Sequence, residues 1–282
     1  RSMLWSYPLD YCAFPESSPA LDSQGNIYVS TKGYTDHLYS FSPQGQLRWG
    51  FRDISRYSPV IDAQDRIIVY HGGQVSILDT EGNIKHRIKV FSDAMPAVGP
   101  DGTIYVADSQ YLSTPGTVSA FNLEGDLKWE WQGIKGDKDE IEIAVVSNAV
   151  YIVSKDTDGD YLYCLDPDYG DLKWQIQYRL GYISGYHLGL GINNQDLYTA
   201  AWFFDIPLKT VLWHLTQTGI IEWEFSKKTS GYHIDFTPPI IDAQGIIYIF
   251  AATDSGDVYA IEPNKGTVIW KYRSTEEIHE WS

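Results

Sequence analysis

The sequence predicts an all-β fold: a closed β-propeller of four-stranded blades, with six blades expected and seven as the alternative. Three observations carry this. A marker position, tryptophan in all repeats but one, recurs with a period of 37 to 49 residues, two tight turns keep fixed distances inside each repeat, and the strand segments read as near-continuous apolar runs.

The marker tryptophans are Trp5 (LWSY), Trp49 (LRWGF), Trp129 (LKWEW), Trp174 (LKWQI), Trp223 (IEWEF) and Trp270 (VIWKY), with His86 (IKHRI) filling the one gap. A glycine precedes six of these markers by four residues: Gly45, Gly82, Gly125, Gly170, Gly219 and Gly266. A second marker series, Tyr28, Ile68, Tyr105, Tyr151, Tyr198 and Tyr248, has Gly25, Asp65, Gly102, Asn148, Gln195 or Gly245 three residues ahead. Gly and Asn tolerate positive φ, which short hairpin loops require, so both places read as hairpins.

Each unit therefore holds four strands, A to D. In the first they are Pro19–Asp22, Asn26–Ser30, Leu38–Phe41 and Leu47–Phe51. Runs such as Ile27-Tyr28-Val29 leave neither face polar, as expected of sheets buried on both sides and stacked radially. The turn fixes register, because a slip of one residue would carry the tryptophan to the other face. An indole at a constant place on the outer strand then fills the gap to the neighbouring blade.

The expected layout is one propeller domain over residues 1–282. Blades lie near 18–51, 57–88, 94–131, 141–176, 186–225 and 237–272, with a spare D strand near 4–7 and a tail at 273–282. The spare strand caps the ring or pairs with the tail in a partial seventh blade.

Composition limits function. A net charge of −16, from 37 acids against 21 bases, argues against nucleic acid and anionic membrane surfaces, both of which need clustered Lys and Arg. Cys12 and Cys164 are far apart and form no metal-ligand pair, so each is expected to pack as a small apolar side chain. No apolar stretch is long enough to span a bilayer. Arg1-Ser2-Met3 reads as a cloning scar ahead of a cropped or mature domain, so the lack of a leader says nothing of location.

The segments SSPALDSQGNIYVS, LYSFSPQGQLRW, LYCLDPDYGDLKW and VYAIEPNKGTVIW resemble the repeat of the PQQ-like propeller family over nearly the whole chain. Quinoprotein dehydrogenases of this family bind pyrroloquinoline quinone with calcium, under a disulfide of adjacent cysteines. This sequence has no adjacent pair and is shorter, so the resemblance implies no cofactor. It points instead to the non-enzymatic branch, similar to the lipoprotein of the outer-membrane β-barrel assembly machine and to sensor propellers. That branch implies a protein or peptide partner and an extracytoplasmic location.

Strand alternation puts the A–B and C–D turns on one side and the D–A and B–C connections on the other. The first set is short and uniform; the second varies from repeat to repeat, and variable loops on a rigid scaffold are where binding resides. Three features stand out there. Trp202-Phe203-Phe204-Asp205-Ile206-Pro207 reads as an apolar B–C loop, either an exposed partner patch or a cover over its own blade. Ser-Gly-Tyr-His occurs at 184–187 and 230–233, placing Tyr186, His187 and His233 near the expected channel mouth as acid–base candidates or as structural, hydrogen-bonded groups. Glu16, Arg56-Tyr57, Asp93 and Asp139-Glu140 precede strand A in other units, either as an acidic, aromatic rim for a polar ligand or as solvated loop charges. Asp156-Thr157-Asp158-Gly159-Asp160 lacks the closing Glu of a calcium loop and reads as a turn.

The function expected is recognition of a protein or peptide partner through the variable-loop side, without catalysis. The alternative is a lyase or hydrolase acting on a polar substrate with His187, Tyr186 and His233.

Overall fold

A computed structural model of the chain describes residues 4–8, 18–31, 37–52, 58–71, 73–90, 95–108, 115–135, 141–154, 160–178, 189–193, 196–203, 208–229, 235–237, 239–252 and 256–273. Every element among them is a strand. The strands form six antiparallel sheets, the blades of a β-propeller.

Blade one joins β1 (Ala20–Leu21), β2 (Ile27–Thr31), β3 (His37–Phe41) and β4 (Leu47–Arg52). Blade two joins β5 (Val60–Ile61), β6 (Ile67–His71), β7 (Gln74–Leu78) and β8 (Ile84–Lys89). Blade three joins β9 (Ala97–Val98), β10 (Ile104–Asp108), β11 (Gly116–Phe121) and β12 (Leu127–Ile134). Blade four joins β13 (Ile141–Val146), β14 (Ala149–Ser154), β15 (Asp160–Leu165) and β16 (Leu172–Tyr178). Blade five joins β17 (Gly189–Asn193), β18 (Asp196–Phe203), β19 (Leu208–Leu215) and β20 (Ile221–Thr229). In blade six the innermost strand is split: β21 (Asp235–Phe236) and β22 (Ile240–Ile241) both pair with β23 (Ile247–Ala252), followed by β24 (Asp257–Ile261) and β25 (Val268–Arg273). Pro239 precedes β22 at the split, and without an N–H it cannot donate to a ladder.

The chain divides into two compact units, residues 1–147 with 168–170, and residues 148–167 with 171–282. In the first, Tyr28 and Leu38 of blade one meet Ile67, Val69 and Leu78 of blade two. Ile68, Val75, Ile77 and Ile88 of blade two meet Ile104 and Val106 of blade three. In the second, Tyr198, Leu212 and Phe225 of blade five meet Phe236, Ile249 and Tyr259 of blade six. These cores lie between successive blades, which is why strands such as β3 and β14 are buried at every residue. Burying each such side chain contributes about 1.5–3 kcal/mol.

The two marker series sit in one row across each sheet. Ser40 pairs with both Tyr28 and Trp49, Ala120 with Tyr105 and Trp129, Cys164 with Tyr151 and Trp174, and Ala260 with Tyr248 and Trp270. A small residue between them lets the Tyr and Trp rings meet, at 5.7 Å in blade one and 5.9 Å in blade six. In blade five the middle residue is His214, which stacks on Tyr198 at 4.8 Å.

The C–D turn follows from the glycine. In blade one, Gly45 at φ 82° donates to the Ser42 carbonyl while Ser42 donates to Gln46. A register shift follows at Ser40/Phe41, as expected of a turn closed by a glycine bulge. In the A–B turn of blade two, Asp65 holds φ 59°, where blades one, three and six have glycine. Its carboxylate accepts from the Ser23 N–H of blade one at 2.7 Å.

Two expectations need correction. Residues 4–8 form no strand, although Trp5 was expected in a spare D strand; only its indole is needed for the contact described below. The apolar segment at 202–207 was expected as a loop, but Trp202 and Phe203 continue β18, paired with Thr210 and Lys209.

Candidate functional site

Tryptophans at the D-strand marker anchor the scaffold. Trp49 packs on Gly82, Trp129 on Gly170, Trp174 on Gly219 and Trp223 on Gly266, each time the turn glycine of the next blade. Trp49, Trp174 and Trp223 donate their indole N–H to the carbonyls of Thr80, Gln217 and Pro263, at 2.9, 2.6 and 2.8 Å. Trp5 occupies the Gly45 turn in the same way and donates to Pro43. In blade two the marker His86 is exposed, and Ile88, two residues on, faces Gly125 instead. These contacts lie at the C–D turns; the charged and aromatic groups described next lie at the opposite ends of the strands.

There, blade five is drawn out. Its β18 and β19 have eight residues each and β20 nine. Register places Trp202 opposite Thr210 and Thr210 opposite Lys227, and Phe203 opposite Lys209 and Lys209 opposite Lys228. Two aromatic and three lysine positions thus share two adjacent rungs near the end of one sheet.

The same region reaches blade six. Lys227 Nζ lies 5.2 Å from the Phe225 ring and 5.0 Å from that of Tyr259. Lys271 Nζ stands 5.3 Å from the Tyr259 ring and 2.7 Å from Asp257 Oδ2. Arg273 Nε bonds Asp257 Oδ1 at 3.1 Å, and the Tyr259 hydroxyl donates to Asp257 Oδ2 at 3.1 Å. Burial alone would raise the Asp257 carboxyl; hydrogen bonds from Lys271, Arg273 and Tyr259 outweigh it and hold it below the ordinary value. The bond to Asp257 pushes Lys271 up, against the opposing effect of burial.

One buried carboxylate thus holds two cations in place, and Lys227 adds a third beside the same ring. A chain of net charge −16 thereby concentrates positive charge beside the Phe225 and Tyr259 rings. That arrangement suits a segment carrying carboxylates and apolar side chains.

Of the residues singled out from sequence, Trp202 and Phe203 fall in this region. Glu16, Tyr57, Asp93, Glu140, Tyr186, His187, Phe204 and His233 lie outside the described residues, as does the 156–159 stretch of the calcium-like segment. Sequence reasoning missed Lys227, Asp257, Tyr259, Lys271 and Arg273. The available signal was the pair of D-strand endings WEFSKK and WKYR, basic just beyond the marker in consecutive repeats.

Among the described residues no cluster of His, Cys, Asp and Glu is fit to hold a metal. Cys164 is buried inside β15, far in sequence from Cys12, and burial pushes its thiol up to about 11. No helix among the described residues is long and apolar enough to cross a membrane.

The family profile of outer membrane protein assembly factor BamB matches residues 131–280. Among solved structures, BamB from Moraxella catarrhalis is similar at 16% identity and TM-score 0.65, over 98% of this chain and 81% of that one. A quinohemoprotein alcohol dehydrogenase from Comamonas testosteroni is similar at 11% identity and TM-score 0.56, over 98% and 69%. The corresponding enzyme ADHIIG from Pseudomonas putida HK5 is similar at 13% identity and TM-score 0.63, over 98% and 63%. At such identities the likeness is one of fold. No curated protein sequence matches the chain.

Proposed function

The chain belongs to the family of outer membrane protein assembly factor BamB, and from that premise we propose that it is a non-catalytic binding module. It takes hold of a protein or peptide segment at the B–C ends of blades five and six. The observation that carries this reading is the Lys227 ammonium. It lies in register with Trp202 through Thr210 and beside the Tyr259 ring, next to the cations held by Asp257. The partner segment is acidic with interspersed apolar side chains. Carboxylates meet Lys227, Lys271 and Arg273, and apolar groups meet the strand ends at Trp202 and Phe203. The family's description, an assembly factor for outer membrane proteins, supports an extracytoplasmic setting for this encounter.

The test is fluorescence anisotropy with a labelled peptide of alternating Glu and Phe, set against a peptide with Lys in place of Glu. The Glu peptide is expected to bind, and more weakly as salt rises. Replacing Trp202, Phe203 and Phe204 by Ser is expected to abolish binding with melting unchanged. Undiminished binding by that variant, or equal binding of the Lys peptide, would reject the proposal.

A further inference from the structure

Blade two repeats the ion-pair site of blade six position by position, but without its carboxylate. In blade six, Asp257 pairs with Arg273 and Tyr259 with Lys271 across β24 and β25. In blade two, Gln74 pairs with Lys89 and Ser76 with Arg87 across β7 and β8. Both blades thus place cations one and three residues after the marker, which is His86 or Trp270, and no other marker is followed in this way. The preceding blade corresponds as well. Phe51 lies two residues after Trp49, as Phe225 does after Trp223, and packs on the core shared by blades one and two. Cross-strand partners and alternate residues share a sheet face. Gln74, Ser76, Arg87 and Lys89 therefore lie on the face that Val69 and Leu78 turn toward blade one.

In blade six, Asp257 receives both cations and the tyrosine hydroxyl. In blade two nothing takes that part. Arg87 and Lys89 are exposed, and among the described residues neither makes a side-chain hydrogen bond or ion pair. Ser76 Oγ, at the register of the Tyr259 hydroxyl, is fully buried and has no hydrogen-bond partner among the described residues. Gln74 is neutral, and its amide nitrogen lies 3.2 Å from His71 Nε2. Asp79, at the other end of the same hairpin, is taken by Lys85 and Asn83. Two cations and one hydroxyl thus share a face with no acceptor for any of them, and an oxygen acceptor placed there satisfies all three.

We infer that the Gln74, Ser76, Arg87 and Lys89 face of blade two is a binding site for a small carboxylate, held by the Arg87 guanidinium and the Lys89 ammonium as Asp257 is held by Lys271 and Arg273. The planar fork of an arginine matches the two oxygens of a carboxylate. The occupant is a small molecule rather than a peptide segment. Strands β6 and β7 have five residues each, and their hairpin closes at once, where Gly73 accepts from the Val90 N–H. No drawn-out strand end lies alongside, in contrast to the eight-residue β18 and β19 of blade five.

The experiment titrates the 282-residue chain with sodium acetate at constant ionic strength and reads the arginine Nε–Hε resonances by NMR, assigned from Arg→Lys variants. Arg87 is expected to shift and to saturate. Arg52, exposed on β4, and Arg273, which already holds a carboxylate, are expected to move little. Gln74→Asp places a carboxylate at the register of Asp257. It should abolish the acetate response of Arg87 and raise the melting temperature. Asp257→Gln should bring a saturable acetate response to Arg273; should that variant not fold, the Gln74→Asp arm decides. An Arg87 response no larger than that of Arg52, or one that survives Gln74→Asp, would overturn the inference. A response that appears only in Asp53→Asn would also overturn it, giving the site to the chain's own Asp53, which follows Trp49 by four residues as Lys227 follows Trp223. An Arg87 response to the Glu–Phe peptide at lower concentration than to acetate would overturn it in favour of a peptide surface.

Discussion

The indole of Trp223 lies so close to Gly266 that a Cβ on that glycine would stand 2.5 Å from Trp223 Cε3, while the indole N–H reaches the Pro263 carbonyl at 2.8 Å. One side chain thus ties the outer strand of blade five to the turn of blade six. Replacing Trp223 by Ala removes both the packing and the hydrogen bond. The expected loss is about 3–5 kcal/mol, read from urea unfolding followed by circular dichroism.

The glycines provide an internal control, because not every turn carries an indole. Gly170 at φ 76° would place a Cβ 2.5 Å from Trp129 Cε3, whereas Gly125 at φ 92° meets Ile88 at 3.4 Å. Both Ala variants incur the left-handed backbone cost of roughly 1–2 kcal/mol. Gly170→Ala must also displace the ring, adding about 1–3 kcal/mol. Denaturation midpoints should therefore rank Gly170→Ala well below Gly125→Ala. Equal midpoints would show that the indole seat contributes nothing.

Asp257 makes the second unit sensitive to acid. Its folded carboxyl titrates below the ordinary value of 3.8, so its stabilisation is fully present above that value and is lost as pH falls through the folded pKa. Asp257→Asn is expected to melt lower at neutral pH, since it leaves Lys271 and Arg273 facing a neutral amide. The gap to the native chain should narrow in strong acid. A gap constant with pH would mean that the carboxylate charge is not what holds the two cations.

Glu142 of β13 behaves in the opposite sense. The residue is solvent-exposed by area, yet the density of protein around the carboxyl still desolvates it and pushes it up to about 7 from 4.5, so the folded state is penalised as pH rises from the lower value to the higher and stays penalised beyond. Glu142→Gln should raise the melting temperature at pH above about 7 and leave it unchanged near pH 4. A uniform shift at both would point to packing instead.

Much of the scaffold was legible because local chemistry enforces it. Gly45 and Trp49, four residues apart, are fixed by one turn and one bulge, and the hairpin at Asp65 was legible from its place in the repeat, although an Asp at positive φ was not. The ends of the strands were less so. Turn spacing does not encode how far a hairpin extends, so Trp202 and Phe203 read as loop although β18 runs through them. Trp5 shows the converse: an indole can fill a seat without a strand behind it. Lys227, Tyr259 and Lys271 meet only because blades five and six pack at one particular register. No single repeat contains that information.

The central claim is that partner binding occurs at the B–C ends of blades five and six. Hydrogen–deuterium exchange of the 282-residue chain, with and without the Glu–Phe peptide, tests it most directly. The account predicts slowed exchange confined to the ends of β18, β19 and β20 near Trp202 and Lys227 and to β25 near Arg273. Protection at the turns around Gly219 and Gly266, with none near Lys227, would contradict it.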